Sequence, residues 1–549
     1  MARLRLRVSG LGEVTMNGAK SYFPVSLFLA LAIHVSARQS IDTVPPQTTK
    51  VYLEHADVQS FDKLIAADRQ VLTGNVRFRH DSSFMYCDSA YFFEQNSSLE
   101  AFGTVRMEQG DTLFVFGDYL FYDGVKQLAV MRRNVRMENI QPDSSIVTLF
   151  TDSLNYDRIS GIGYYFEGGM IVDAENELTS IYGQYSPATK QAIFQDSVRL
   201  ENPKFTLYSD TLHYNTDTKI ATILGPSVIV SDSGTVYTSK GWYNTADNTS
   251  LLLDRSEIHS GNRLLTGDSI VYNRATGFGE AFGNIFIRDT LNKIILEGQY
   301  GYYNEKTEFA FATDSARCLE YSQGDTLYMH ADTFEMTSLD SVGRILKAYH
   351  HVRLFRTDIQ GVCDSMRFDT KDSILYMHSD PVLWNEQYQL YGDTIKMYMR
   401  DSTVDYVLVH PSAFAAQQLD TSAFNQLRGR ELYAWFEGKT VRTIYIDGNA
   451  ETIWYTTEDN GIITDMNKTQ SSYLRIWFKD SQMEKLLIWP EPQGKLTPLS
   501  LLAPEERTLK DFYWYDYMRP RDKDDIFRRI ERNANEKPAK NNIFRNFAP

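Results

Sequence analysis

The stretch LLTGDSIVYNRATGFGEAFGNIFI, residues 264–287, carries the pattern on which most of the chain is built. It has a Gly-Asp-Ser step, an alternation ending in Tyr-Asn, a polar turn, and an Ala-x-Gly-Asn-Ile step. Ile270 and Tyr272 fall on one face of an extended backbone, and Ser269, Val271 and Asn273 on the other. That period of two is the mark of a strand with one buried face and excludes an amphipathic helix. The RATG segment between the halves is turn-forming.

The pattern recurs. FMYCDSAYFFEQNSSLEAFGTVRM from Phe84, FTLYSDTLHYNTDTKIATILGPSVIV from Phe205 and IQGVCDSMRFDTKDSILYMHSDPVLW from Ile359 are its better copies. The Asp of the step marks the units at Asp88, Asp118, Asp152, Asp210, Asp268, Asp332, Asp364 and Asp393, with Gln184, Lys240 and Gln299 in the gaps. A period of roughly 26 to 34 residues signals a stacked array. A glycine inside a strand pattern marks a bulge or a corner. Two corners per hairpin fold it into two facing layers, so the stack is expected to be an all-β, V-shaped or flattened roll, apolar inside and polar outside.

The chain has 549 residues, 13% of them aromatic, and a formal net charge of −15. That charge excludes a nucleic-acid partner held by bulk electrostatics. The N-terminus reads as an export signal over 1–37: basic MARLRLR, an apolar run from Val25 to Ile33, and Val35-Ser36-Ala37 as the cleavage site, with Met16 as an alternative start. A flexible leader over 38–52 follows, then the array over 53–400, a β-rich region over 401–504 that continues the sheet, and a charged, partly disordered tail over 505–549. Within the β-rich region the Ala/Gln-rich stretch after His410 is read as a helical turn or two. Asp447-Gly448-Asn449 and Asp459-Asn460-Gly461 are read as hairpin turns. Cys87, Cys318 and Cys363 are too few for a disulfide framework, and the equivalent placement of Cys87 and Cys363 before the marker Asp points to small-residue packing.

Enzyme chemistry finds no support: no nucleophile elbow, zinc helix, phosphate loop or CxxC pair is present, and neither cofactor nor metal is expected. His350-His351 stands in a copy of the Gly-Asn step and is read as a turn element. One marker Asp per unit is too dilute for a calcium ladder and is read as a cap on the amides of the corner. The inward rows of Leu, Ile, Val, Tyr and Phe make either a packed core or a trough for acyl chains, each buried CH₂ being worth roughly 0.8 kcal/mol. Arg77 and Arg106, at the strand rims, are the candidates for local pairing with phosphate.

The steps Gly267-Asp268-Ser269-Ile270-Val271-Tyr272 and Ala281-Phe282-Gly283-Asn284-Ile285 resemble the OstA-like family, whose pattern is A-D-x-h-x-Y followed by A-x-G-N-V. That family contains LptA, the periplasmic bridge of lipopolysaccharide transport, and the periplasmic domain of the outer-membrane translocon LptD. The resemblance implies an elongated β-jellyroll, open along one side, holding lipid A acyl chains inside. Val76, Phe78, Val105, Met107, Leu212, Tyr214, Ile270, Tyr272, Ile285 and Ile287 are then the lining residues. It also implies a periplasmic location near the outer membrane. The implied partners are lipopolysaccharide and other jellyrolls, an LptD-like translocon among them, added to the end strands, with self-association as a by-product. Leu72 to Phe78 and the strands after Thr440 are the candidate ends. The array is about twice as long as a typical LptA, and the region beyond residue 400 looks like that of large OstA-like proteins. The competing expectation is an exported structural or adhesive β-solenoid with a dry core.

Overall fold

In the computed structural model the described residues are 50–533, apart from 65–67, 233, 323, 339–342, 401–402, 439, 458–461 and 481. The export signal and most of the leader fall outside them, as do residues 534–549. The alternation read in the sequence becomes 38 strands in a single hydrogen-bonded antiparallel sheet, and the remaining elements are short 3-10 turns. Gln70–His80 pairs with Ser83–Phe93, then Ser98–Gln109, then Leu113–Asp123, each strand antiparallel to the next. The long strands shift register once near their middle. Some break there, so that Ile146–Asp157 pairs with Gly169–Val172 through one half and with Ile162–Tyr165 through the other. Two layers result, joined along a crease: residues such as 76–80 and 83–87 lie in the first, and 70–73 and 89–93 in the second.

The crease has a fixed chemistry. Thr73 pairs with Ser89 and Val76 with Cys87, so Gly74 and Asn75 stand opposite Asp88 alone. Gly103 and Thr104 stand opposite Asp118 in the same way. At many rungs the two extra residues are both left-handed: Gly74 and Asn75 (φ 78° and 47°), Gly283 and Asn284 (70° and 46°), Gly448 and Asn449 (80° and 53°). Glycine and asparagine adopt that conformation at least cost, which is the origin of the Gly-Asn step. The marker carboxylates hold these bulges. Asp88 accepts the Thr104 amide at 2.9 Å, Asp152 the Asn134 amide at 3.0 Å, and Asp268 the Asn284 side chain at 2.8 Å. A Cβ on Gly103 would overlap the Asp88 carboxylate.

His350 and His351 occupy the same left-handed positions (φ 60° and 54°), and their rings reach Asp364 at 3.3 Å and Asp332 at 2.8 Å. The doublet is therefore the corner of the strand Arg344–Arg356, in keeping with its reading as a turn element. Asp447-Gly448-Asn449 is likewise a crease inside the strand Thr440–Thr457, not the hairpin turn expected. The second expected hairpin, 459–461, lies outside the described residues. The Ala/Gln-rich stretch is the strand Ala413–Gln418, not a helix. It is held between Tyr388–Tyr391 and Phe424–Gly429, and Ala413 to Ala416 are buried on both faces.

That double burial comes from the tail. Leu502, Leu509, Tyr515 and Met518 pack on the outer side of the first layer, against Val362, Val382, Trp384, Tyr391 and Phe414. The described part of the tail is thus packed. At the other end, Leu72 to Phe78 is not the terminal strand: Tyr52–His55 and Val58–Ser60 cover it. The last strands are Gln482–Trp489 and Gln493–Pro498. At about 4.8 Å per rung, the first layer runs for roughly 130 Å.

Gly103→Val places a β-branched side chain at φ 87° and against Asp88. A loss of about 2–3 kcal/mol is expected, seen as faster hydrogen–deuterium exchange in the strands Ser98–Gln109 and Leu113–Asp123 with little change beyond residue 300.

Candidate functional site: the apolar interior and its mouth

All ten candidate lining residues face inward. Val76, Phe78, Val105, Met107, Ile285 and Ile287 lie in the first layer, and Leu212, Tyr214, Ile270 and Tyr272 in the second. Eight are buried, while Tyr272 and Ile287 are half-buried. From Val51 to Tyr243 the interior is one continuous cluster filled by its own side chains. Leu252, Ile270, Ala281 and Ile285 form a smaller group, and a further cluster begins at Leu296. In this later section the inner positions near the crease shrink to Ala312, Ala316, Cys318, Ala331 and Ala348. Ile287, Ile294, Leu327, Leu346, Ile359 and Leu375, near the strand ends, are only partly buried. The section after residue 250 is thus less completely filled than the section before it.

The free edges of the two layers form the mouth, and polar side chains bridge it. The Tyr122 hydroxyl lies 2.6 Å from Nδ1 of His80 and accepts from Arg158 at 2.8 Å, and Arg158 also reaches Asp81 at 3.7 Å. Tyr156 donates to Gln109 at 3.0 Å, and Asn139 to Tyr185 at 2.9 Å. Tyr214 donates to Asp173 at 3.2 Å and accepts from Asn176 at 3.1 Å, while Lys219 reaches Asp173 at 3.1 Å. Phe205 packs on Tyr243 with ring centres 4.7 Å apart. Further along, Arg263 binds Asp289 at 3.3 Å and also Tyr303, and Arg344 reaches the same Asp289 at 3.5 Å. At Tyr122, Tyr156, Tyr185, Tyr214 and Tyr303 the tyrosine that ends the unit therefore has a role: its ring lies toward the interior and its hydroxyl ties one layer to the other, whereas the Tyr243 and Tyr272 hydroxyls bond within the second layer, to Asn248 and Glu305. The repeat makes that tyrosine visible in the sequence. Its partners follow no local spacing, being 36 to 47 residues away at these rungs.

Burial alone would raise the Asp173 carboxyl, but the Glu175 and Asn176 amides and Lys219 outweigh it and hold it below the ordinary value. Asp289 is lowered against burial in the same way, by Asn292 and Arg263. Burial and the Glu305 charge push the Tyr272 phenol up to about 12. Cys87, Cys318 and Cys363 are free, buried thiols, and burial pushes Cys87 and Cys318 up to about 12. Arg77 and Arg106 are not at the mouth: they lie on the outer face of the first layer, over Phe84 and Tyr86 and paired with Glu54 and Glu108. Among the described residues no group of three or more His, Cys, Asp and Glu could hold a metal ion, and no helix is long and apolar enough to cross a membrane.

Residues 48–210 match the model of the OstA-like protein family. This segment belongs to that family. The OstA-like segment ends inside the strand Phe205–Asn215, and the same crease and pairing continue beyond it without a break. Among solved structures, the crystal structure of LptH, the LptA-homologous periplasmic component of the conserved lipopolysaccharide transport device from Pseudomonas aeruginosa, is 15% identical. It matches over 25% of this chain and 93% of its own, with a TM-score of 0.20. A comparison with curated proteins gave no match.

Arg158→Ala removes the donor that joins Tyr122 and Asp81 across the mouth of the OstA-like segment. A loss of about 1–3 kcal/mol is expected, read by denaturant titration. Because the folded pKa values of Asp173 and Asp289 are depressed, their contribution is complete above the unfolded value of about 3.9 and is lost as pH falls through the lower folded values. Exchange protection at Asp173–Asn176 should drop in that acid range, while the crease strands keep theirs.

Proposed function

We propose that this chain is an exported, periplasmic lipopolysaccharide-binding and transport protein that holds acyl chains between its two layers. The observation that carries the reading is the apolar inner face, shared by the OstA-like segment and the strands that continue it. Acyl chains need length, apolar walls and no charge, and the inner rows supply all three. The half-buried positions Tyr272, Ile287, Ile294, Leu327 and Leu346 are where chains enter, because a lipid there displaces fewer contacts than among the filled rungs before residue 243. Other jellyrolls, an LptD-like translocon among them, add to Tyr52–Ser60 or to Gln482–Pro498, since a terminal strand presents unpaired amides and carbonyls.

A second reading is favoured by the closure of the first section: eight of the ten candidate residues are buried and the mouth is bridged. A structural β-solenoid with a dry core has that appearance. Photocrosslinking amino acids at Ile287 and Leu327, with outward controls at Val271 and Tyr237, separate the two. The transport reading expects lipopolysaccharide adducts at the inner pair only. Equal labelling at all four sites, or none, in cells that make lipopolysaccharide would leave the dry-core reading standing.

A further inference from the structure

The outer face of the first layer carries a second continuous row, independent of what the interior holds. Arg77, Tyr86, Arg106, Phe116, Arg136 and Phe150 face one another across successive strands, arginine alternating with an aromatic ring. The same rung line continues through Met170 and Thr179 to Arg199, Tyr208, Val228 and Tyr237. Arg106 lies over Tyr86 at 4.6 Å and Arg136 over Phe116 at 4.5 Å. The four arginines 77, 106, 136 and 199 are 42–46% exposed, and each pairs with a glutamate on the sheet. The surface here is concave. A cleft of about 1080 Å³ takes in Phe116, Arg136 and Phe150, with the crease carboxylates Asp88, Asp118 and Asp152 along its other side, and one of about 800 Å³ takes in Arg199, Tyr208 and Tyr237, with Asp254 and Glu257.

Further along, the same row is occupied by the protein's own tail. From Tyr237 the line passes through Glu257, Thr266, Phe286 and Glu297 to Arg317, His330 and Arg353, followed by Val362, Val382, Tyr391, Phe414 and Arg428. The tail lies along them as a strap. Arg428, paired with Glu451 at 3.1 Å, takes Asp511 of the strap at 3.1 Å as a second carboxylate. Arg317, paired with Glu297 at 2.6 Å, takes Asp524 at 3.7 Å. Asp525 lies 3.9 Å from Arg353, Phe527 covers His330 at 4.7 Å, and Tyr515 meets Tyr391 edge-on at 5.3 Å. Backbone groups of the strap bond to Gln389 and Gln426 of the sheet.

We propose that the uncovered part of this row, from Arg77 to Tyr237, is a docking groove for an extended segment of a partner protein in which Asp or Glu alternates with Tyr or Phe. Continuity with the strap interface identifies the occupant, since the strap seats its own carboxylates and rings on this row. Arg106, Arg136 and Arg199 hold one sheet glutamate each, as Arg428 and Arg317 do beneath the strap, and the neighbouring rings offer the same flat apolar seats. Arginine accepts a second carboxylate through its fork of donors.

The probe is a fluorescent peptide with the sequence of residues 509–527, added to the full chain, whose own strap already fills the far section. Saturable binding is expected, severalfold weaker at 300 mM than at 50 mM salt. Arg106→Gln with Arg136→Gln should weaken it at least tenfold, as should Phe116→Ala with Phe150→Ala, while Lys126→Glu on the other layer leaves it unchanged. Circular dichroism melting identifies any variant that fails to fold. No saturable binding, or binding indifferent to the arginine and aromatic pairs, overturns the proposal. A self-associating chain that the arginine variant renders monomeric in sedimentation, with no peptide binding, overturns it in favour of a second copy as the occupant.

Discussion

The fold depends on a geometric demand made at alternate long strands: such a strand must spend two residues where its neighbours spend one, and at many rungs both are in the left-handed region. Gly74-Asn75, Gly283-Asn284, His350-His351 and Gly448-Asn449 all meet it, and a polar side chain on the neighbouring strand holds several of them in place. The bulge also resets the alternation. Cys87 and Ala90, three residues apart on the strand that carries Asp88, both face inward. Without that change of phase the second layer would turn its apolar face to water. The same residues therefore fold the sheet, aim its apolar face inward in both layers, and keep the outer arginine row in line.

Whether such an interior holds lipid is a matter of competing terms. Each bridging hydrogen bond at the mouth contributes about 1 kcal/mol net, and the side chains that fill the first section have already removed their own apolar surface from water. A lipid entering there must replace contacts, not create them. An acyl chain of about a dozen methylenes supplies roughly 10 kcal/mol only where the surface it covers was still wet. Partly buried Ile287, Ile294, Leu327 and Leu346 meet that condition, and fully buried Phe78, Met107 and Leu212 do not. Filling and bridging therefore set where along one interior a lipid, on the proposed reading, would be taken up.

The repeat, the buried face and the corner were legible because each is local. Ile270 and Tyr272 point inward as the alternation requires, and the Gly-Asn step is the bulge. The chemistry of the mouth was not legible, since Tyr122 finds His80 and Arg158, and Tyr214 finds Asp173, only after the layers face each other. The Ala/Gln stretch at 413–418 failed for the opposite reason. Its composition favours a helix, but small residues buried on both faces between two strands win over propensity. Asp447-Gly448-Asn449 carries hairpin residues because the crease and the hairpin turn draw on the same left-handed conformers. Arg77 and Arg106 were assigned to the rim because their sequence position fixes the face they occupy but not the use of that face.

The strap changes the mechanics of the section it covers. There the first layer is buried on both sides: Val382, Leu383 and Trp384 are consecutive and all buried, the middle one facing the interior and its neighbours facing the strap. A sheet packed on two faces resists bending, because any displacement costs contacts on both. The second layer of the same section has a solvent-facing outer side, where Lys347 and Lys396 alternate with inward Ala348 and Ile395. Its displacement costs contacts on one side only. Any widening of the mouth beyond residue 340 is therefore a movement of the second layer against a first layer held still by the tail.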